Sequence, residues 1–252
     1  MTFFNIIVPF YNVESWIDKC LKTIKAQDYE DYRVVLIDDC STDNTATVIK
    51  REIEGNDKFK LIQTEENGGA LNSTCIGIES SPLSSEDVII VLDGDDWLAR
   101  KDVLKILDKT YKNTGCLMTY GSYVEWPLKE RGKFSKKAPE NVVKYKLFRR
   151  SQWMTSHLRT FKYKLWKEIK KEDILDKGGK IYSMCGDLPV IFPMLEMAEE
   201  RACFIEEILH VYNRSNPLNE DKVNHSLQLS IEREVRGKPV YSRLEEVIRM
   251  RE

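Results

Sequence analysis

An α/β fold, with a mostly parallel open sheet flanked by helices and a C-terminal helical tail, is predicted by three features of this 252-residue chain. Short apolar runs rich in β-branched residues recur along the first half. Segments of helical period separate them. The runs at 3–8, 33–37 and 88–92 stop at Pro or Asp, residues that end strands and start turns. Strand–helix alternation of this kind builds a parallel sheet with right-handed crossovers and helices on both faces.

Residues 3–8 (Phe-Phe-Asn-Ile-Ile-Val) form the first strand, closed by Pro9. Over 14–27, Trp16, Ile17, Cys20, Leu21 and Ile24 recur at helical spacing among charged residues. Residues 33–37 give a second strand ending in Asp38-Asp39, and Ser41-Thr42-Asp43 supply caps for a helix running to Ile53. A short strand at 59–63 leads to Asn67-Gly68-Gly69 and a helical stretch to about Ser80. The strand Val88-Ile89-Ile90-Val91-Leu92 precedes a helix from about Lys101 to Lys112. Beyond 115 the pattern loosens. Residues 116–124 read as a strand, 129–150 and 162–171 as basic solvated faces or loops, and 203–205 and 209–212 as two short strands. From about 221 the chain is polar and helical, interrupted at Gly237-Lys238-Pro239.

With a net charge of −2, the composition argues against a protein built to hold nucleic acid. No apolar stretch approaches the ~18 residues of a membrane span, and the N-terminus lacks a basic region leading into an apolar segment. The expected location is therefore the cytoplasm, with peripheral membrane contact left open. The six cysteines are scattered without a C-x-x-C pair and read as reduced thiols rather than a zinc site or disulfide frame.

The chemistry concentrates in Asp93-Gly94-Asp95-Asp96 at the end of the 88–92 strand. Carboxylates this close repel unless a cation or a set of donors holds them. A hard divalent ion, Mg²⁺ or Mn²⁺, bridging to substrate phosphates is one reading, and a turn that caps the next helix is the other. The ends of parallel strands line one crevice. Pro9-Phe10-Tyr11-Asn12, Asp38-Asp39 and Asp93-Gly94-Asp95 are such ends, and together they suit a nucleotide diphosphate. Asp39 would accept from a base N–H, Asp93 from ribose hydroxyls, and Asp95 would ligate the ion. No G-x-G-x-x-G follows the first strand and no G-x-x-x-x-G-K-[ST] occurs, which argues against dinucleotide and P-loop folds.

Four segments, Ile6-Ile7-Val8-Pro9-Phe10-Tyr11-Asn12, Ile37 to Thr45, Glu66-Asn67-Gly68-Gly69 and Leu92-Asp93-Gly94-Asp95-Asp96, stand in an order and spacing that resembles the family 2 glycosyltransferases. The resemblance is strong over 3–112 and weak over 113–215. It implies the GT-A (nucleotide-diphospho-sugar transferase) fold and inverting, metal-dependent transfer. The donor would be a nucleotide sugar, UDP-linked by family frequency, and the acceptor a glycan or other hydroxyl compound. It also implies a domain over 1–215, with a nucleotide-binding half at 1–112 and an acceptor-binding half at 113–215, followed by the helical tail at 216–252. By position, Asp39 and Asn67 would hold the base, Asp93 and Gly94 the ribose side, Pro9 and Tyr11 the donor loop, and Asp95 the metal. Asp187, in Cys185-Gly186-Asp187-Leu188-Pro189, would be the catalytic base; a helix-capping role is the alternative.

Two departures stand out. Gly186 occupies the place of a usual Glu, and Ser73-Thr74-Cys75 replaces Ala-Arg-Asn, so a phosphate-side arginine is missing. Arg149, Arg159 and Arg214 are candidates to replace it. His157 and Trp97 are assigned to the acceptor side, although each also fits a packing role. His210 could complete a metal shell or be structural, and Asp96 could serve the donor sugar or cap a helix. Two rival functions are a non-catalytic nucleotide-sugar-binding module and a phosphohydrolase using the Asp-x-Asp cluster. The latter would want Thr or Val after the second Asp, where Asp96-Trp97 follow, and its strand near the start of the domain, where strand–helix units come first.

Overall fold

The computed structural model of the chain describes residues 1–245. In its first half β1 (Phe4–Phe10), α1 (Ile17–Lys25), β2 (Tyr32–Asp38), α2 (Thr45–Ile53), β3 (Phe59–Gln63), α3 (Ala70–Glu79) and β4 (Val88–Val91) alternate as expected. β3, β2, β1 and β4 lie side by side and parallel, with β1 in the middle. Every residue of β1 is buried. Ile6 and Val8 pack with Ile17, Leu21 and Ile24 of α1 on one face, while Ile7 packs with Leu71 and Ile78 of α3 on the other. Burial on both faces explains why these strands read as continuous apolar runs rather than alternating ones.

The second half contains β5 (Trp97–Leu98), α4 (Val103–Thr114), β6 (Met118–Trp126), β7 (Glu130–Arg131), α5 (Glu140–Lys144), β8 (Thr160–Lys162), α6 (Tyr163–Trp166), α7 (Leu188–Ala198), β9 (Ala202–Asn213), α8 (Glu220–Val223) and α9 (His225–Arg236). The sheet runs β3-β2-β1-β4-β8-β6-β9-β5, with β7 paired to β6. β8 is antiparallel to both β4 and β6, so the sheet is parallel from β3 to β4 and mixed beyond it.

Three expectations need correction here. The two strands foreseen at 203–205 and 209–212 are one strand, β9. Its Glu206 and Glu207 are exposed and bulge out where Gly121 pairs with Ile205 and Ser122 with Ile208. Two adjacent acids break the apolar pattern without breaking the backbone pairing. The basic stretch at 162–171 is not a simple solvated face. It begins in β8, which is too short to show a period, and Thr160 is tied there by hydroxyl contacts of 2.7 Å to Tyr111 and Thr119. The 129–150 stretch likewise ends in a buried residue, Arg149.

Residues 216–245 are not an appendage. Ile231 and Val235 of α9 join the core on the α3 face, and Tyr182 donates to Glu234 at 2.8 Å. Residues 246–252 of the expected tail lie outside the described residues. Arg149 donates to both oxygens of Glu196 on α7, at 2.6 and 3.0 Å, and to the carbonyl of Val235 at 2.7 Å. Glu196 also accepts from the Tyr241 amide at 3.0 Å. Burial nonetheless leaves the Glu196 carboxyl above its ordinary pKa. None of the six cysteines is joined in a disulfide. Among the described residues no helix is long and apolar enough to cross a membrane.

Removing one member of a buried, hydrogen-bonded ion pair strands the other charge. Arg149→Ala is therefore expected to cost about 3–5 kcal/mol in urea unfolding, whereas Arg149→Met combined with Glu196→Leu recovers most of that loss.

Candidate active site

The carboxyl ends of β2, β1 and β4 meet at one rim of the sheet. The Asp39 amide donates to the Phe10 carbonyl at 2.9 Å and the Gly94 amide to the Pro9 carbonyl at 3.1 Å. Pro9 thus holds the acidic turn through its backbone. Asn12, at φ 50°, folds the next loop back, and its side-chain oxygen accepts from the Thr42 amide at 2.8 Å. Tyr11 at the loop tip is 38% exposed, so its ring is open to a ligand.

The two acids after β2 have different work. Asp38 accepts from the Ser41 amide at 2.8 Å and from Gln63 at 3.1 Å, which fixes the turn. Asp39 accepts from the amides of Gly68 and Gly69, at 2.9 and 2.7 Å, and Asn67 donates to the Asp39 carbonyl at 3.1 Å. Each carboxylate oxygen keeps a second lone pair. Asp39, Asn67 and the glycine turn are therefore one preorganised unit with acceptor capacity to spare.

Within the acidic turn, a Cβ on Gly94 would lie 2.6 Å from that of Phe10, so this close approach needs glycine. Asp96 is fully buried and is held by β9: it accepts from the Asn213 amide at 2.7 Å and shares a 2.8 Å hydrogen bond with His210 Nε2. Burial pushes His210 down to about 3 and raises Asp96 well above the usual carboxylate range. This contact is thus a hydrogen bond involving a neutral imidazole, not an ion pair. It engages Asp96 and His210 with each other, while Asp93 and Asp95 in the same turn are only partly buried.

Asp95 accepts from Asn216 at 2.7 Å, yet burial still raises its pKa. Asp93 is raised to about 7, first by burial and then by the charges of Asp96 and Asp95. Among the described residues no three His, Cys, Asp or Glu side chains gather into a full metal-ligand set. Two crowded carboxylates fit a different arrangement, in which Mg²⁺ or Mn²⁺ takes one or two protein oxygens and completes its shell with substrate phosphates and water.

Across the crevice stands Asp187, immediately before α7. Its carbonyl accepts from Ile191 at 2.8 Å, but its side chain makes no capping bond. The carboxylate instead accepts from Arg159 Nη1 at 2.5 Å. The glycine before it has a packing cause: a Cβ on Gly186 would come within 2.6 Å of the Leu71 Cβ on α3, so the usual Glu does not fit there. Of the three candidate arginines, Arg149 is committed to Glu196, Arg214 lies 5.7 Å from the Tyr212 ring, and Arg159 reaches the site.

His157 is half-buried, stacked on His210 with ring centres 4.5 Å apart and on Tyr212 at 5.6 Å. Burial, then Arg159, holds it well below the ordinary imidazole range. Trp97 is only 5% exposed; its ring meets Trp126 edge-on at 6.0 Å and carries the Lys19 ammonium at 3.4 Å. The contacts of this ring are thus with the protein itself, as in the packing role that its sequence position also fits. Asn213 and Asn216 were not foreseen. The polar run Asn213-Arg214-Ser215-Asn216 directly after β9 was the available signal.

Residues 5–171 match the family described as "Glycosyl transferase family 2", a span that stops short of Asp187. An uncharacterized glycosyltransferase of Haemophilus influenzae is 32% identical over 123 residues, 49% of this chain and 48% of that protein. The uncharacterized glycosyltransferase EpsJ of Bacillus subtilis is 22% identical over 84% of this chain and 61% of its own length. Among solved structures, S. aureus TarS superposes with a TM-score of 0.65 at 20% identity, covering 86% of this chain and 37% of TarS. A mannosyltransferase of Pyrobaculum calidifontis, solved with GDP-Man and Mn²⁺, gives a TM-score of 0.60 at 17% identity over 94% of this chain and 65% of its own. The TarS likeness shows the GT-A fold. The chain spans only about half the length of the first of these curated relatives and about a third of TarS.

A carboxyl with a folded pKa above its unfolded value near 3.9 binds its proton more tightly when native. Its contribution therefore favours folding at low pH and is lost as pH rises to about 7 for Asp93. In EDTA at pH 8, Asp93→Asn is expected to raise the melting temperature by about 2–6 °C, and the difference should close near pH 4. Equal gains at both pH values would contradict this assignment.

Proposed function

The chain belongs to glycosyl transferase family 2, and from that premise we propose that it moves a sugar from a nucleotide-diphosphate donor to a hydroxyl of a glycan acceptor, with inversion and with a divalent metal. The observation that carries this reading is that two units flank the end of β1, one at the end of β2 and one at the end of β4. One is the Asp39–Asn67–glycine cradle, and the other is the crowded pair Asp93 and Asp95. A base with N–H donors suits the first, and ribose hydroxyls with a metal-bridged diphosphate suit the second. A UDP-sugar is the default donor. TarS has been solved with UDP-GlcNAc, which supports it, while the mannosyltransferase complex with GDP-Man and Mn²⁺ supports the metal.

In this reading Asp39 accepts from the base and its geometry is fixed in advance by the Gly68 and Gly69 amides, so little ordering is needed on binding. Asp93 accepts from the ribose. Asp95, oriented by Asn216, would hold Mn²⁺ or Mg²⁺, which would supply Lewis-acid stabilisation of the leaving diphosphate. Asp187 takes the proton from the acceptor hydroxyl as its oxygen attacks the anomeric carbon. The bond from that carbon to the diphosphate oxygen breaks on the opposite side, and its electron pair leaves with the diphosphate. No covalent enzyme intermediate is needed. In the same reading half-buried His157, two residues before Arg159 in sequence, contacts the acceptor or the donor sugar.

Titration with UDP and GDP, with and without Mn²⁺, tests the donor and metal assignments. Binding of one nucleotide should weaken at least tenfold in EDTA, and undiminished binding would remove the metal role of Asp95. Asp187→Asn should retain donor binding while transfer falls by ~10³-fold or more. Wild-type turnover in that variant would place the base elsewhere.

A further inference from the structure

The contact between Arg159 and Asp187 raises a question that the catalytic reading leaves open. A general base must be free to receive a proton, yet this carboxylate is paired with a guanidinium at 2.5 Å. The Asp187 side chain is 37% exposed and the Arg159 side chain 14%, so the arginine is the more enclosed partner. Its position is set by the sheet. Thr160, the first residue of β8, is registered against Ile90 of β4, so Arg159 emerges beside the end of the strand that leads into Asp93. Its charge accordingly bears on Asp93 and Asp96, and on His157 and His210. The guanidinium is therefore bonded to the proposed base and close enough to the acidic turn for its charge to act there.

We infer that Arg159 is a shared positioning residue, held by Asp187 when no donor is bound and drawn to the donor diphosphate when one is, so that the base is released only after the donor is seated. The inference rests on the donor reading above. Guanidinium binds phosphate through paired, charge-assisted hydrogen bonds, and a diphosphate carries more charge than one carboxylate. Thr74 stands where the family's usual phosphate-side arginine would be, and Arg149 is fully engaged in the core with Glu196 and Val235, so neither supplies this contact. Release of Asp187 upon donor binding makes the order of binding productive, because an acceptor arriving first meets a carboxylate already occupied.

The test is a calorimetric double-mutant cycle with UDP and GDP, comparing the wild type, Arg159→Ala, Asp187→Asn and the double variant, with uridine and guanosine as controls lacking phosphate. Sharing predicts opposite signs. Asp187→Asn removes the competitor and should tighten the diphosphate about fivefold or more, whereas Arg159→Ala should weaken it on the order of tenfold or more. In the Arg159→Ala background the Asp187→Asn gain should vanish, and the nucleosides should bind all four proteins alike. Arg159→Lys, which keeps the charge without the planar fork, should fall between wild type and alanine, and it replaces alanine if that variant does not fold. If Asp187→Asn leaves UDP and GDP affinity unchanged, or if the two effects simply add, Arg159 only orients Asp187 and the sharing is overturned. If neither diphosphate binds the wild type, the donor reading fails and the sharing falls with it.

Discussion

The arrangement depends on what happens to Asp96. A carboxylate with no access to water costs several kcal/mol unless its oxygens are satisfied, and here β9 satisfies them through the Asn213 amide and His210. These partners lie 117 and 114 residues further along the chain, so this buried group joins the first half of the chain to β9. β5 pairs with β9 just beyond it, registering Trp97 against Val211 and Leu98 against His210. Asp96 thus anchors the acidic turn to β9, and the Gly94 amide anchors it to Pro9. Asn216, three residues past Asn213, then reaches Asp95 from the same segment.

The donor side was legible because its signals are local. A parallel strand buried on both faces is an uninterrupted apolar run, and its end is marked by the first polar residues after it. Asp39, Asn67, Gly68 and Gly69 sit within such turns, and the structure joins them by short hydrogen bonds. The acidic turn was equally visible, but the division of labour within it was not. Nothing near Asp96 in sequence distinguishes it from Asp95, and the distinction is made by residues on β9.

The remaining parts were obscure for the same physical reason, dependence on distant partners. Arg149 reads as one more cation in a basic stretch until Glu196, Val235 and Tyr241 converge around it. Gly186 looks like a lost acid until the Leu71 side chain of α3 is seen to occupy the space. β8 is too short to show periodicity, and β9 is divided in pattern by a two-glutamate bulge. Trp97 beside the acids suggests a ligand-facing aromatic, but its place on β5 turns the ring toward Trp126 and Lys19.

Unlike demands meet in the proposed site: its carboxylates would hold a metal-bridged diphosphate, while Arg159 is bonded to the carboxylate proposed as base. The central claim is that the ends of β1, β2 and β4 form a nucleotide-diphosphate site. A crystal structure grown with UDP and Mn²⁺ tests it most directly. The account predicts the uracil against Asp39 and Asn67, the ribose at Asp93 and the manganese on Asp95. A nucleotide bound away from these strand ends, or manganese held by residues other than Asp95 and Asp93, would contradict it.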